Sequence, residues 1–492
     1  MLCAFALHLA FPQTAWWWIA PFAFAGLIGS WAVLSPRRAA LAGYASGLVF
    51  FTFGFSWFGE TAGALLGPAA PVLDLGPALA EALAFAFAAA VTSIAARRCG
   101  AFAFAIASAA AFALAEAARS SGVLGVPLEQ IGVAMIDSPL RPLAAYAGVY
   151  GITFATALLG ASLGWWLLDA RDARRARAAA ATWIAVAACT ALAWTFWPAR
   201  HAAPPSRRVA AVQGGIAQTL KMTPGGLQVA IERYTAMTRA LVPQHPTLIL
   251  WPETVILAPL DYPRADIRAL AQRFAALARE TGATLYAGSL AQTTDGAENT
   301  LYIFDPRNPR VLDDGSGATA RYGKEQLVPF AEYIPGPEWL RRLPFADQIG
   351  VYRPAHNAFP TYGGATPLIC WESLFGDIAH ARLRDDPSLL LVATDDAWFG
   401  RTEFPYEHAM AASLRAVESG RWVLRAGATG ISGIVAPDGS WTRRTALGGA
   451  ATVVGEVGPP VDVPYAQLGP GAIALALAGA LAIALFGRRP RA

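Results

Sequence analysis

The first 118 residues carry only eight charged side chains, Arg37, Arg38, Glu60, Asp74, Glu81, Arg97, Arg98 and Glu116, and the stretches between them are apolar. Crossing ~30 Å of hydrocarbon takes about 20 such residues in helical form, because lipid offers no partner to backbone N–H and C=O groups. Crossings are therefore expected near 15–34, 39–58, 77–96, 101–118, 142–168 and 179–197, with a last one at about 467–487. The composition agrees: 55% of the residues are hydrophobic and 15% charged, with a mean hydropathy of +0.40, far more apolar than a water-soluble domain. Residues 1–11 are apolar but too short to span alone. They read as half of a hairpin with the next helix or as a truncated crossing.

Arginines set the orientation, since short loops rich in basic residues stay in the cytoplasm. Arg37, Arg38, Arg97, Arg98, the cluster Arg171, Arg174, Arg175 and Arg177, and the tail Arg488, Arg489 and Arg491 fall on one face of the expected crossings. The opposite loops, 59–76 and 119–141, hold only Arg119 and Arg141 as basic residues. The segment 199–466 is thus expected outside the cytoplasm. With Asp169 and Asp172, the eleven cytoplasmic arginines carry +9 against +4 for the whole chain, leaving −5 elsewhere. That argues against a nucleic-acid surface.

The outer segment changes character. After Pro204-Pro205, short β-like runs (209–212, 247–250, 284–288, 300–304, 366–369, 389–393, 423–424, 431–435 and 452–457) alternate with helical patterns (226–242, 264–281, 374–384 and 407–420). Such alternation argues for an α/β sheet covered by helices, with chemistry at the carboxyl ends of strands. The expected domains are a transmembrane helix bundle over 1–198, an extracytoplasmic α/β domain over 199–466, and a closing helix and tail over 467–492.

Three candidate groups sit at strand ends or in the loops that follow. Cys370 is the one cysteine of the outer segment; Cys3, Cys99 and Cys189 lie in or beside membrane runs and read as small buried hydrophobes. A lone thiol in an oxidising compartment has no disulfide partner and reads as functional. An apolar strand delivers it into what reads as a helix start, where N–H groups and the dipole favour a thiolate. Glu253 ends the strand of Trp251-Pro252-Glu253. Lys324 is one of only two lysines, with Lys221, among 38 basic residues; a compact ammonium can approach a developing oxyanion as a guanidinium fork cannot.

The stretch 325–362 shows little periodicity, six prolines and the aromatics Phe330, Tyr333, Trp339, Phe345, Tyr352 and Phe359. It reads as a lid or binding loop for an apolar substrate. His408 reads as a helix-start or supporting residue rather than a base. Glu60, Glu81 and Glu116 read as snorkelling to the membrane interface. The six histidines show no metal-ligand spacing, so neither a metal nor a cofactor is expected.

Trp251-Pro252-Glu253, the run Tyr322-Gly-Lys-Glu-Gln-Leu-Val-Pro-Phe-Ala-Glu-Tyr-Ile-Pro335, Ile369-Cys-Trp-Glu372 and Asp396-Ala-Trp-Phe-Gly400 resemble the apolipoprotein N-acyltransferases, bacterial membrane enzymes with a nitrilase-like domain before the last transmembrane helix. The resemblance implies a four-layer αββα sandwich on the helix bundle and a catalytic triad of Glu253, Lys324 and Cys370. It implies that Glu332, Trp371 and Glu372 form the active-site wall, and it puts Met222, Phe330, Tyr333 and Trp398 at the substrate. It implies a phospholipid acyl donor, a thioester on Cys370 and a diacylated apolipoprotein acceptor. The enzyme would be a multi-pass monomer of the bacterial inner membrane with the nitrilase-like domain on the periplasmic side.

The chain departs from the family pattern in several places: Trp371 stands for Tyr, Met222 for Trp, Gln326 for His, Ala331 for Gly, Asp395 for Asn, and Gly427-Ala-Thr429 for an Asn-rich turn. Substrate choice is therefore open. So are two other readings, a membrane-tethered amidase or nitrilase using the same triad, and a catalytically silent membrane binding protein.

Overall fold

The computed structural model describes residues 1–12, 14–59, 75–342, 349–357 and 361–487. The chain forms two compact units, Met1–Pro198 with Asp462–Ala492, and Ala199–Val461.

The first unit is helical. Among the described residues, five helices are long and apolar enough to cross a membrane: Leu75–Arg98, Ala101–Arg119, Arg141–Leu167, Ala173–Arg200 and Pro464–Phe486. They coincide with five of the seven expected crossings. The remaining two are also helical, but Trp17–Ala32 is shorter, and Pro36–Gly54 spends its first turn on Arg37 and Arg38. Residues 1–11 contribute the short helix Leu2–His8. The basic tail at 488–492 and most of the loop 59–76, with Glu60, lie outside the described residues.

Glu81 and Glu116 do not snorkel. Both are buried, and Arg119 joins them: its guanidinium lies 3.2 Å from Glu81 and 3.9 Å from Glu116 and donates to the carbonyls of Val126, Leu128 and Glu129. Glu116 also accepts from the Thr153 hydroxyl and the Ile131 amide. Inside a bundle, a carboxylate with an arginine and donors within reach is more stable than one stretched toward a distant interface. Gly148 breaks the helix Ala144–Leu167 with φ +61, and a Cβ there would overlap the Tyr465 ring.

The second unit contains two sheets. One has the order β11-β1-β2-β3-β4-β5, where β1 is Arg207–Gln213, β2 Leu248–Leu250, β3 Thr284–Thr293, β4 Gly296–Phe304, β5 Ala320–Gly323 and β11 Ala451–Val457. The other has the order β10-β9-β8-β7-β6, with β6 Ala365–Ile369, β7 Leu389–Thr394, β8 Trp422–Gly427, β9 Gly433–Val435 and β10 Trp441–Arg444. The strands β1, β2 and β3 are parallel, as are β6, β7 and β8.

Side-chain alternation then fixes the layers. Val209, Ala211, Leu248, Leu250 and Tyr286 point one way and pack with Ile369, Leu389, Leu391 and Leu424 between the sheets. Their neighbours Ala210, Val212, Ile249 and Leu285 point the other way, onto Ile231, Tyr234, Leu270, Phe274 and Leu277 of two helices. On the far sheet Leu368, Leu390, Val392 and Val423 meet Ala379, Ala412 and Ala416. Three apolar seams between four layers make the αββα sandwich. The helix Ala265–Thr281 shows how local the causes are. Ile267, Leu270, Ala271, Phe274, Leu277 and Ala278 recur at three- and four-residue steps on its buried face, and Gly282 at φ +68 ends it,.

Among its described residues, the stretch 325–362 holds bridges at Pro329–Tyr333 and Ala297–Tyr352 and a 3-10 turn at Glu338–Arg342. Phe345 and Phe359 lie outside the described residues.

Candidate active site

Glu253, Lys324 and Cys370 each come just after the last residues of a strand, β2, β5 and β6 respectively. The turn after β2 is pressed against β3, where a Cβ on Gly288 would collide with the Pro252 carbonyl at 1.9 Å. Glycine therefore lets the backbone bring Glu253 inward. Lys324 is tied by its own amide to the Asn299 carbonyl of β4, 2.8 Å away.

The carboxylate of Glu253 is held from both sides. Its Oε1 accepts from Lys324 Nζ at 3.0 Å and Asn299 Nδ2 at 2.6 Å, and its Oε2 accepts from the Asp395 amide at 2.8 Å. Lys324 Nζ also donates to Glu332 Oε1 at 2.9 Å, and Glu332 Oε2 accepts from the Val328 amide. Burial alone would raise the Glu253 carboxyl, but the Lys324 charge and these hydrogen bonds outweigh it and hold the group below its ordinary value,. Burial alone would lower the Lys324 ammonium, but Glu253 and Glu332 hold it well above its ordinary value. At neutral pH the pair is a carboxylate beside an ammonium.

Cys370 is 7% exposed and takes φ +49, a left-handed conformation that costs a non-glycine residue about 1 kcal/mol. It opens a five-residue 3-10 turn, Cys370–Leu374. Burial first and the Glu253 charge second push the thiol well above its ordinary value, with Lys324 pulling the other way. The expectation of a thiolate stabilised by a helix start is thus corrected. Desolvation and the Glu253 anion outweigh the dipole of so short a turn and favour the protonated thiol,.

The turn is braced from two directions. Glu372, fully buried, accepts from the amides of Ile369 (2.7 Å), Glu325 (2.7 Å) and Gln326 (3.3 Å) and from the Tyr322 hydroxyl. On the other side the Cys370 carbonyl accepts from Ser373 Oγ at 2.7 Å and faces His408 Nε2 at 3.1 Å. His408 Nδ1 lies 3.0 Å from Asp396 Oδ1, and Arg425 donates to Asp396 Oδ2 at 2.7 Å. His408 sits inside the helix Phe404–Ser419 rather than at its start, and it supports the turn. Glu372→Gln would set an amide NH2 against donors that need an acceptor. It is expected to cost roughly 2–4 kcal/mol, read as a lower apparent Tm together with reduced turnover.

The remaining expected residues divide by exposure. Trp371 is buried, with its ring 6.0 Å from that of Phe375. Met222 (63% exposed), Phe330 (48%) and Trp398 (40%) are open to the surface, and Tyr333 is half-buried, its carbonyl accepting from the Phe330 amide. Asn299, the Asp395 amide and Lys221 were not expected here. Asp295-Gly296, a tight-turn signal between β3 and β4, was the clue that places Asn299 on a strand facing Glu253.

Both parts of the chain are similar to known proteins. Residues 3–162 match the family model of the apolipoprotein N-acyltransferase N-terminal domain, and residues 208–459 match that of carbon-nitrogen hydrolases. The apolipoprotein N-acyltransferase of Methylococcus capsulatus is 32% identical over 87% of this chain and 83% of its own length. That of Pseudomonas paraeruginosa is 31% identical over 93% and 89%. Among solved structures, an amidase from Nesterenkonia sp. is 19% identical with a TM-score of 0.39, covering 54% of this chain and 94% of that one.

Proposed function

Because the chain belongs to the apolipoprotein N-acyltransferase family, we propose that it moves an acyl chain from a membrane phospholipid to the α-amine of the S-diacylglyceryl N-terminal cysteine of an apolipoprotein. The supporting observation is the buried Glu253–Lys324 ion pair, 3.0 Å apart, both of whose members act electrostatically on the Cys370 thiol.

In the first half-reaction Cys370 Sγ attacks the ester carbonyl carbon while Glu253 accepts the thiol proton. Lys324 and the Trp371 amide stabilise the tetrahedral oxyanion. The carbon–oxygen bond to glycerol breaks, Glu253 returns the proton to the glyceryl oxygen, and a lysophospholipid leaves behind a Cys370 thioester. In the second half-reaction the α-amine attacks the thioester. Glu253 takes the amine proton and delivers it to the departing sulfur, which yields the amide and restores the thiol. Met222, Phe330, Tyr333 and Trp398 contact the lipid chains, and Glu332 keeps Lys324 aligned. The arginine distribution supports a sandwich on the periplasmic side of the inner membrane, with the chain acting as a monomer.

The test mixes purified protein, phospholipid and a diacylated lipopeptide and tracks each half-reaction across pH. Glu253 titrates below its ordinary value and Lys324 well above its own, so thioester formation should stay flat from about pH 5 to pH 9. Transfer to peptide needs a neutral α-amine, whose ordinary pKa is about 7.7–8.0. It should fall about tenfold per pH unit below that. Absence of N-acylated peptide would overturn the proposed activity. A tenfold rise in thioester formation per unit between pH 6 and 9 would instead mean that the thiol must ionise before it attacks.

A further inference from the structure

Of 38 basic residues only Lys221 and Lys324 are lysine, and both are buried and act on the Glu253 carboxylate, one directly and one through an intermediary. Lys324 reaches Glu253 Oε1 directly. Lys221 reaches the other oxygen through one intermediary. Its Nζ pairs with Asp395 Oδ2 and donates to Thr254 Oγ1 at 3.0 Å, on the residue next to Glu253. The backbone amide of Asp395 donates to Glu253 Oε2 at 2.8 Å, and Asp395 Oδ1 accepts from the Ala397 amide at 3.3 Å, capping the 3-10 turn Asp396–Phe399.

We infer that the buried Lys221–Asp395 pair is a second positioning device for the reaction, fixing the Asp395 amide on Glu253 and cancelling a cation that would otherwise weaken that carboxylate as a base. The inference rests on the reading of Glu253 as the proton acceptor. An ion pair taken wholly out of water keeps its geometry only while both members are present. Removing one leaves an uncompensated charge next to the turn that carries the base. An unpaired Lys221 would hold Glu253 more firmly as a carboxylate and lower its affinity for the thiol proton. With the Asp395 carboxylate in place, the base keeps the orienting amide without that added field.

The experiment measures thioester formation on the full-length protein with phospholipid alone, for the wild type, Asp395→Asn, the double variant Lys221→Met/Asp395→Asn, and Glu253→Gln. Asp395→Asn keeps shape and backbone amide but unpairs Lys221. Its rate should fall roughly three- to tenfold with KM for phospholipid unchanged, and its acid limb should move down by on the order of one pH unit. The double variant removes both charges and should return the rate and the limb toward wild type, a recovery that damage to packing alone would not give. A wild-type rate and limb in Asp395→Asn, or a double variant no faster than the single, would overturn the inference. Should the double variant fail to fold, the position of the acid limb in Asp395→Asn decides alone. Glu253→Gln separates the two readings, since a wild-type rate there would overturn the base itself, whatever the ion pair does.

Discussion

Cys370→Ala is expected to fold as the wild type does and to lose thioester formation and acyl transfer together, by at least on the order of 10⁴-fold. The size comes from the role. Without sulfur there is no covalent intermediate, and the α-amine would have to attack an unactivated phospholipid ester directly. The fold should survive because the substitution removes a small buried atom from a turn held mainly by other groups, namely Glu372 on the Ile369, Glu325 and Gln326 amides and Ser373 on the Cys370 carbonyl. Cys370→Ser should fare little better in activity. A hydroxyl is a weaker nucleophile, and the same burial that raises the thiol would disfavour an alkoxide still more. A Cys370→Ser protein with full transferase activity would contradict the covalent route.

Lys324→Met carries the second large effect, on both rate and stability. Lys324 is almost wholly buried, with its ammonium 3.0 Å from Glu253 and 2.9 Å from Glu332, so its loss leaves the buried Glu253 and the half-buried Glu332 without their cation. Breaking such a pair costs about 3–5 kcal/mol, part of which the protein recovers by protonating one carboxyl. Protonated Glu253 can no longer accept the thiol proton, and the oxyanion loses its charged donor, worth about 3–4 kcal/mol in the transition state. Thioester formation should fall by on the order of 10³-fold or more, and what remains should rise with pH as the carboxyl ionises. Lys324→Arg keeps the charge but not the compact head, and it should recover stability better than rate. Single-turnover labelling and thermal unfolding, measured on the same samples, distinguish the two effects. Unchanged turnover in Lys324→Met would remove the lysine from the mechanism.

Much of this architecture was readable from the chain because its signals are long or strongly periodic. Apolar runs such as 101–118 admit hardly any fold but a membrane helix, and the fully buried strand β7 appears as an unbroken apolar run from Leu389 to Ala393. The four-residue strands β5 and β10 were not foreseen. A run that short carries too few alternations to stand out, and β5 pairs only because β4 already lies beside it. The four-layer stacking came from the family resemblance, since alternation of strands and helices does not say how many sheets form.

Within the site, Glu253 and Cys370 were marked by their place at expected strand ends and Lys324 by the rarity of lysine in this chain, but their convergence is a tertiary fact. Asn299 was missed because the strand was expected to begin at Thr300, one residue beyond it. Lys221 drew no role because its partner, Asp395, lies 174 positions away in sequence. The expected thiolate failed for a physical reason: the electrostatics of a fully buried sulfur are set by desolvation and the nearest anion, and neither is visible in local sequence.

The most direct test of the central claim is the intact mass of the purified protein after incubation with a phospholipid of defined acyl chains and no acceptor. The expected result is a gain of one acyl group, removable by hydroxylamine, mapping to the peptide that contains Cys370 and absent from Cys370→Ala. An acyl group that persists in Cys370→Ala, or a wild-type protein that transfers acyl chains to peptide without ever carrying one on Cys370, would contradict it.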